Sequence, residues 1–133
     1  MAEMFELQVI TPDKAFYTGE ASMVEFNTTE GEVGVYKNHI PMTSIIAPGV
    51  LTIHEASGEK QAALISGFVT ILPEKITILA ETAEWPDEID VNRATEAKLR
   101  AERRLKDGKG DTDVMRAENA LRRALTRLEV KDR

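Results

Sequence analysis

The apolar spacing of this 133-residue chain changes at one place, and that change dictates two kinds of structure. Before Trp85-Pro86-Asp87 the period is two. Phe5, Leu7 and Val9 alternate with Glu6 and Gln8, Val24 and Phe26 with Glu25 and Asn27, Leu51 and Ile53 with Thr52 and His54, and Ile76 and Ile78 with Thr77 and Leu79. Such alternation describes half-buried strands. Turn-forming clusters separate them: Thr11-Pro12-Asp13, Thr18-Gly19-Glu20, Glu30-Gly31-Glu32, Ala47-Pro48-Gly49, Ser57-Gly58-Glu59 and Leu72-Pro73-Glu74. Several short strands at this spacing predict an antiparallel β-sandwich over residues 1–86.

From Asp90 onward there is no proline, and the spacing is helical. Asp90 is placed to cap a first helix, whose stripe is Val91, Ala94, Ala97 or Lys98, Ala101 and Leu105. Asp107-Gly108-Lys109-Gly110 ends it. Asp111 or Thr112 can cap a second helix with the stripe Val114, Ala117, Leu121, Ala124 or Leu125, and Leu128. The glycine turn makes residues 87–133 an antiparallel two-helix hairpin. Its seam is mostly alanine, and a buried methyl contributes only about 0.8 kcal/mol. An interface of that kind is easily released, although stable hairpins can be alanine-rich too.

Charge divides at the same place. Residues 1–88 carry 4 Lys/Arg and 14 Asp/Glu, whereas residues 89–133 carry 13 and 9. An acidic module followed by a basic one predicts different partners for each. The overall charge of −6 argues against whole-chain nucleic-acid binding. The basic tail keeps such a module as an alternative, weakened by nine acidic residues there and no aromatic residue to stack bases.

Catalysis finds little support. There is no cysteine, so thiol chemistry, disulfides and zinc-thiolate sites are excluded, and a cytosolic address fits. No phosphate loop of the form G-x-x-x-x-G-K-Ser/Thr is present. His39 and His54 lie apart, without metal-ligand spacing or a nucleophile–base arrangement. His54 reads as an exposed strand residue and His39 as a loop residue with a contact role. The start of the chain lacks the pattern of a secretory signal, and no apolar run reaches the roughly 20 residues of a membrane span.

The arginines of the tail carry more information. Arg93 and Arg100 share a helix face about 10 Å apart along the axis, as do Arg123 and Arg127 one turn apart. Folding the hairpin about Gly108-Lys109 brings residue 93 level with about 124 and residue 90 level with about 127. Arg93, Arg123 and Arg127 then gather near its base around Asp90, with Arg100 above. Guanidinium forks match phosphate oxygens, so a polyphosphate could join them, with Glu84, Ile89 and Asp90 offering a surface for a base. Alternatively these arginines line a solvated face and pair with Glu96, Glu102 or Glu118.

Ordered segments then resemble a known family: Val9-Ile10-Thr11-Pro12, Glu30-Gly31-Glu32-Val33-Gly34-Val35-Tyr36-Lys37-Asn38-His39-Ile40-Pro41, Ile65-Ser66-Gly67-Phe68-Val69 and Lys75-Ile76-Thr77-Ile78-Leu79-Ala80. Their order and spacing resemble the ε subunits of bacterial F-type ATP synthases over essentially the whole chain. Ile89-Asp90-Val91-Asn92-Arg93-Ala94 is similar to the I/L-D-x-x-R-A motif of the ATP-binding members. The resemblance implies an ATP site of Glu84, Ile89, Asp90, Arg93, Ala94, Arg100, Arg123 and Arg127, with ATP as an allosteric ligand; it does not fix whether Mg²⁺ accompanies it. It implies a non-catalytic stalk subunit, peripheral to the cytoplasmic face of the cell membrane. The partners would be the γ subunit, the ring of c subunits near a Glu32–Pro41 loop (Glu32 and His39 as contacts), and the α/β head when the hairpin extends to inhibit hydrolysis. A structural or inhibitory ε subunit without ATP sensing stands beside this as the alternative.

Overall fold

The computed structural model describes residues 3–108 and 110–132, and the side chains of all of these except Asp111 and Thr112. Eight strands come first: β1 (Phe5–Ile10), β2 (Ala15–Ala21), β3 (Met23–Thr28), β4 (Gly31–Tyr36), β5 (Met42–Ile46), β6 (Gly49–Glu55), β7 (Gly58–Ile71) and β8 (Lys75–Glu84). A 3-10 turn, Pro86–Glu88, leads into α1 (Val91–Asp107) and α2 (Asp111–Asp132). The fold is a β-sandwich followed by a helical hairpin.

The strands run in the order β2-β1-β8-β7-β5-β3-β4, with β6 bridging β3 and β7. Pairing is antiparallel except between β1 and β8, which are parallel with Leu7 beside Ile76 and Val9 beside Ile78. The period-two residues meet in the core: Leu7, Val9, Val24, Leu51, Ile53 and Ile78 are all fully buried. At about 25 cal/mol per Å² of apolar surface, that shared core supplies the main drive for folding.

The long strand β7 joins the layers. Its first part, through Leu64, pairs with β6, and from Gly67 onward it pairs with β5. The change of partner falls at Ser66 and Gly67, where both φ angles are positive (46° and 145°). Glycine is required at 67 because a Cβ there would lie 2.0 Å from the Leu79 carbonyl oxygen of β8. Burial also changes along this strand. Ala62, Ala63, Leu64 and Ile65 are buried without alternation, because both faces are covered. Beyond the kink, Val69 and Ile71 point inward while Phe68 stays exposed.

Several expectations need correction. Thr18-Gly19-Glu20 lies inside β2, with Gly19 opposite Leu7. Gly19 serves to leave space for the Tyr17 ring, whose hydroxyl would be 2.6 Å from a Cβ at 19. Glu32 and its neighbours to Tyr36 form edge strand β4, so only the segment after Tyr36 is loop. His54 is half-buried between two carboxylates, with Nε2 3.3 Å from Glu25 and Nδ1 3.4 Å from Glu59. In the hairpin Val91 is exposed, whereas Thr126 and Val130, outside the expected stripe, are buried. Their burial comes from α2 packing on β6, β7 and the 3-10 turn in addition to α1. The seam itself is alanine as expected, with Ala94, Ala101, Ala117 and Ala124 buried. Gly108 closes α1 in the left-handed conformation. Lys109, at the expected centre of the turn, and the capping side chains of Asp111 and Thr112 lie outside the described residues.

The junction is fixed by aromatics. Trp85 stacks on Phe16 with ring centroids 4.4 Å apart and meets Tyr17 edge-on at 6.3 Å. The buried Tyr17 hydroxyl donates to the Glu55 carboxylate, which also faces Lys60 at 3.7 Å. Burial, this hydrogen bond and the charge of Glu55 raise the Tyr17 pKa well above 10.0. The folded chain therefore holds this proton more tightly than the unfolded chain. The resulting stabilisation is complete below about pH 10 and drains away as pH rises further.

Two outcomes follow for the sandwich. Urea unfolding of Gly67→Ala should show a loss of about 3 kcal/mol or more, since both the φ angle and the contact with β8 oppose a side chain. Thermal melts of the native chain should fall more steeply above about pH 10 than those of Tyr17→Phe, which carries no titrating phenol.

Candidate functional site

The hairpin closes so that Arg127 of α2 comes beside the end of β8 and the first turn of α1. Together they bound a cleft of about 240 Å³ lined by Glu84, Glu88, Asp90, Arg93, Ala94, Ala97 and Arg127. Each side chain has a local reason for its position. Glu84 ends β8, paired with Ala63 of β7. Asp90 is the N-cap of α1, and its carboxylate accepts from the Arg93 backbone N–H at 3.1 Å. That bond presents Arg93 on the first turn, with its side chain in solvent. Ala94 is buried in the seam and permits α2 to approach.

Five of the eight expected nucleotide residues thus meet in one place: Glu84, Asp90, Arg93, Ala94 and Arg127. The other three do not line the cleft. Ile89 is turned away, buried with Ala63 and Val130. Arg100 is exposed two turns further along α1, and Arg123 is half-buried one turn before Arg127 on α2. Glu88 also belongs to the cleft, although it is not among the residues the sequence predicts for it. The signal was present in Trp85-Pro86-Asp87-Glu88, where an acidic side chain three residues after a cap can fold back. Its Oε1 accepts from the Trp85 N–H at 2.9 Å, and its Oε2 lies 3.6 Å from Lys14 Nζ.

The charges are already arranged. Arg127 Nε donates to Glu84 Oε1, a contact between two side chains each about one-quarter exposed. Among the described residues Arg93, Arg100 and Arg123 form no ion pair, so the alternative pairings with Glu96, Glu102 or Glu118 are not made. The cleft therefore offers one uncommitted guanidinium, one held by a carboxylate, and free arginines just beyond. Its volume is below the roughly 300 Å³ of common small-molecule sites, and it opens onto the helix faces that carry Arg100 and Arg123.

The expected ring contacts sit apart. Glu32 lies in β4 and borders a groove beneath α2, whereas His39 lies in the loop after β4 and borders a separate groove with Met42 and Ile71. The His39 Nδ1 lies 2.7 Å from the Ile40 carbonyl oxygen, to which its protonated form donates. Two larger grooves, about 730 and 700 Å³, flank Arg122 under α2 and contain none of the expected nucleotide residues.

The description "ATP synthase, Delta/Epsilon chain, beta-sandwich domain" matches residues 4–86, and "ATP synthase, Delta/Epsilon chain, long alpha-helix domain" matches residues 87–132. The ATP synthase epsilon chain of Ruminiclostridium cellulolyticum is 43% identical over 129 residues, covering 97% of this chain and 96% of that one. The chain belongs to the ATP synthase epsilon-chain family. That of Shouchella clausii is 46% identical over 125 residues, covering 94% and 92%. The epsilon-family fold is also found in a chain of the Euglena gracilis mitochondrial ATP synthase OSCP/F1/c-ring structure, with a TM-score of 0.84 at 22% identity, over 98% of this chain and 82% of that one. A chain of the Tetrahymena thermophila central stalk/c-ring structure gives a TM-score of 0.61 at 16% identity. Among the described residues no helix is long and apolar enough to cross a membrane.

Removing the Asp90 cap should loosen the start of α1. Asp90→Ala is expected to lower stability by about 1 kcal/mol in denaturant titration, with increased amide exchange confined to the first turn of α1.

Proposed function

We propose that this chain is a non-catalytic rotor subunit of the central stalk of a proton-translocating F-type ATP synthase, and that ATP regulates it by stabilising the folded hairpin. The observation that carries the regulatory half is the meeting of Glu84, Asp90, Arg93 and Arg127 between β8, α1 and α2. A ligand held there touches the sandwich and both helices at once, so it favours the closed arrangement over any in which the hairpin leaves. At 100 times its dissociation constant it adds about 2.7 kcal/mol to that arrangement. This matches the scale of a small alanine seam. Arg93 and Arg127 would hold phosphates, with Arg123 and Arg100 reached along the helix faces, and Glu84 would give up Arg127 as they bind. ATP acts as a signal and is not hydrolysed.

An exposed apolar row supports the stalk half of the proposal. Ile10, Leu79, Phe68 and Ile45 stand beside one another across β1, β8, β7 and β5. The last three are about half exposed (49%, 56% and 54%). A contiguous apolar strip of this kind suits a permanent protein partner, which in this reading is the γ subunit. The c-ring would meet the other end of the sandwich, near His39, at the cytoplasmic face of the cell membrane. Without nucleotide, the opened hairpin would carry its basic helices along γ to the α/β head and inhibit hydrolysis.

The Glu84–Arg127 pair favours one other reading, in which the hairpin inhibits without sensing ATP because its own carboxylate already satisfies the arginine. Calorimetric titration of the isolated chain with ATP, ADP and GTP separates the two. Trp85, the single tryptophan and the immediate neighbour of Glu84, gives a parallel fluorescence signal. One ATP-selective site is expected, weakened about tenfold or more in Arg93→Ala and in Arg123→Ala with the strand signal unchanged. Equal affinity in both variants and the native chain would remove the site, and no heat at millimolar ATP would leave the second reading.

A further inference from the structure

The arginine cleft does not account for how the far end of α2 is buried. The hairpin seam is alanine, but the last turn of α2 carries a larger side chain, Val130, which is fully buried. It sits among Ala63 of β7, Val50 of β6 and Ile89. One residue on, Lys131 Nζ donates to the Pro86 carbonyl oxygen at 2.9 Å. Pro86 and Ile89 are the chain's own approach to α1. The end of α2 is thereby fastened both to the sandwich and to the beginning of the hairpin, so the segment from 86 to 131 forms a closed ring. Neither Val130 nor Lys131 lines the cleft.

We infer that Val130 and Lys131 form a latch that sets how often the hairpin leaves the sandwich before any nucleotide is present. The inference rests on the reading that the hairpin opens, and it assigns the opening balance to residues that touch no ligand. An opened hairpin must withdraw Val130 from its seat and break the Lys131 bond together, because adjacent residues of one helical turn carry both. The consequence for the cleft is direct. When only the closed form binds, apparent affinity falls in proportion to the closed fraction, so the latch tunes nucleotide sensitivity from outside the site.

Hydrogen–deuterium exchange on the full chain without nucleotide tests this. Val130→Ala shortens the side chain but keeps a helix-favouring residue, and Lys131→Met removes the donor but keeps the stem. Amides of α1 and α2 should exchange roughly tenfold faster in Val130→Ala and severalfold faster in Lys131→Met, with those of β6, β7 and β8 unchanged. Unchanged helix exchange in both variants would overturn the latch. Equal acceleration of strands and helices would overturn it too, since Val130 would then belong to the common core. Faster helix exchange that ATP does not slow in any of the chains would keep the latch and remove the nucleotide reading.

Discussion

One strand has to serve two layers, and the rest of the molecule is arranged around how it does so. β7 spans 14 residues and exchanges β6 for β5 at Ser66-Gly67. A regular strand could not make that change while keeping β8 along its other edge. The positive φ angles supply the bend, and the missing side chain at 67 lets β8 stay in contact. The kink also separates two environments on the outer face. Before it, Ala63 lies under α2; beyond it, Phe68 faces solvent in the apolar row. A single backbone constraint therefore divides a helix seat from an exposed apolar strip.

The hairpin depends on that seat. Its internal seam offers four small side chains, and the more substantial apolar contact is Val130 against Ala63, Val50 and Ile89. Small residues on the sheet permit close approach, and the close approach brings Arg127 to Glu84. A polar contact and an apolar contact thus work together at neighbouring turns of α2. Each is modest, as half-exposed ion pairs and single valines are. Modest contacts are compatible with the proposed release of the hairpin.

Electrostatics reinforces this arrangement. The acidic sandwich and basic tail meet through Glu84 with Arg127 and through the Pro86 carbonyl with Lys131. Glu88 is occupied by Lys14 and the Trp85 N–H, and Asp90 by the first turn of α1. Arg93 remains unclaimed among the charges of the cleft. An anion arriving there would meet one ready guanidinium and would have to compete for the second, which is a physical basis for selecting a multiply charged ligand.

Local spacing in the sequence determined the strands, the two helices, the Asp90 cap and the place where one module gives way to the other. These follow from side-chain periodicity and backbone preference within a few residues. The approach of Arg127 to Asp90 and Arg93 was also legible, because helical rise and a short turn set which levels of a hairpin coincide, although the same levels had included Arg123, which stays outside the cleft. The parallel β1–β8 pair, the strand role of Gly19, the inward turn of Ile89, the carboxylates around His54 and the burial of Thr126 and Val130 were not. Each depends on surfaces far apart in the chain meeting at a particular rotation, and periodicity gives a helix a face without saying what will cover it. Only the tertiary structure decided that Val130 finds Ala63 and that Arg127 finds Glu84, because those contacts fix the position of α2 on β6 and β7.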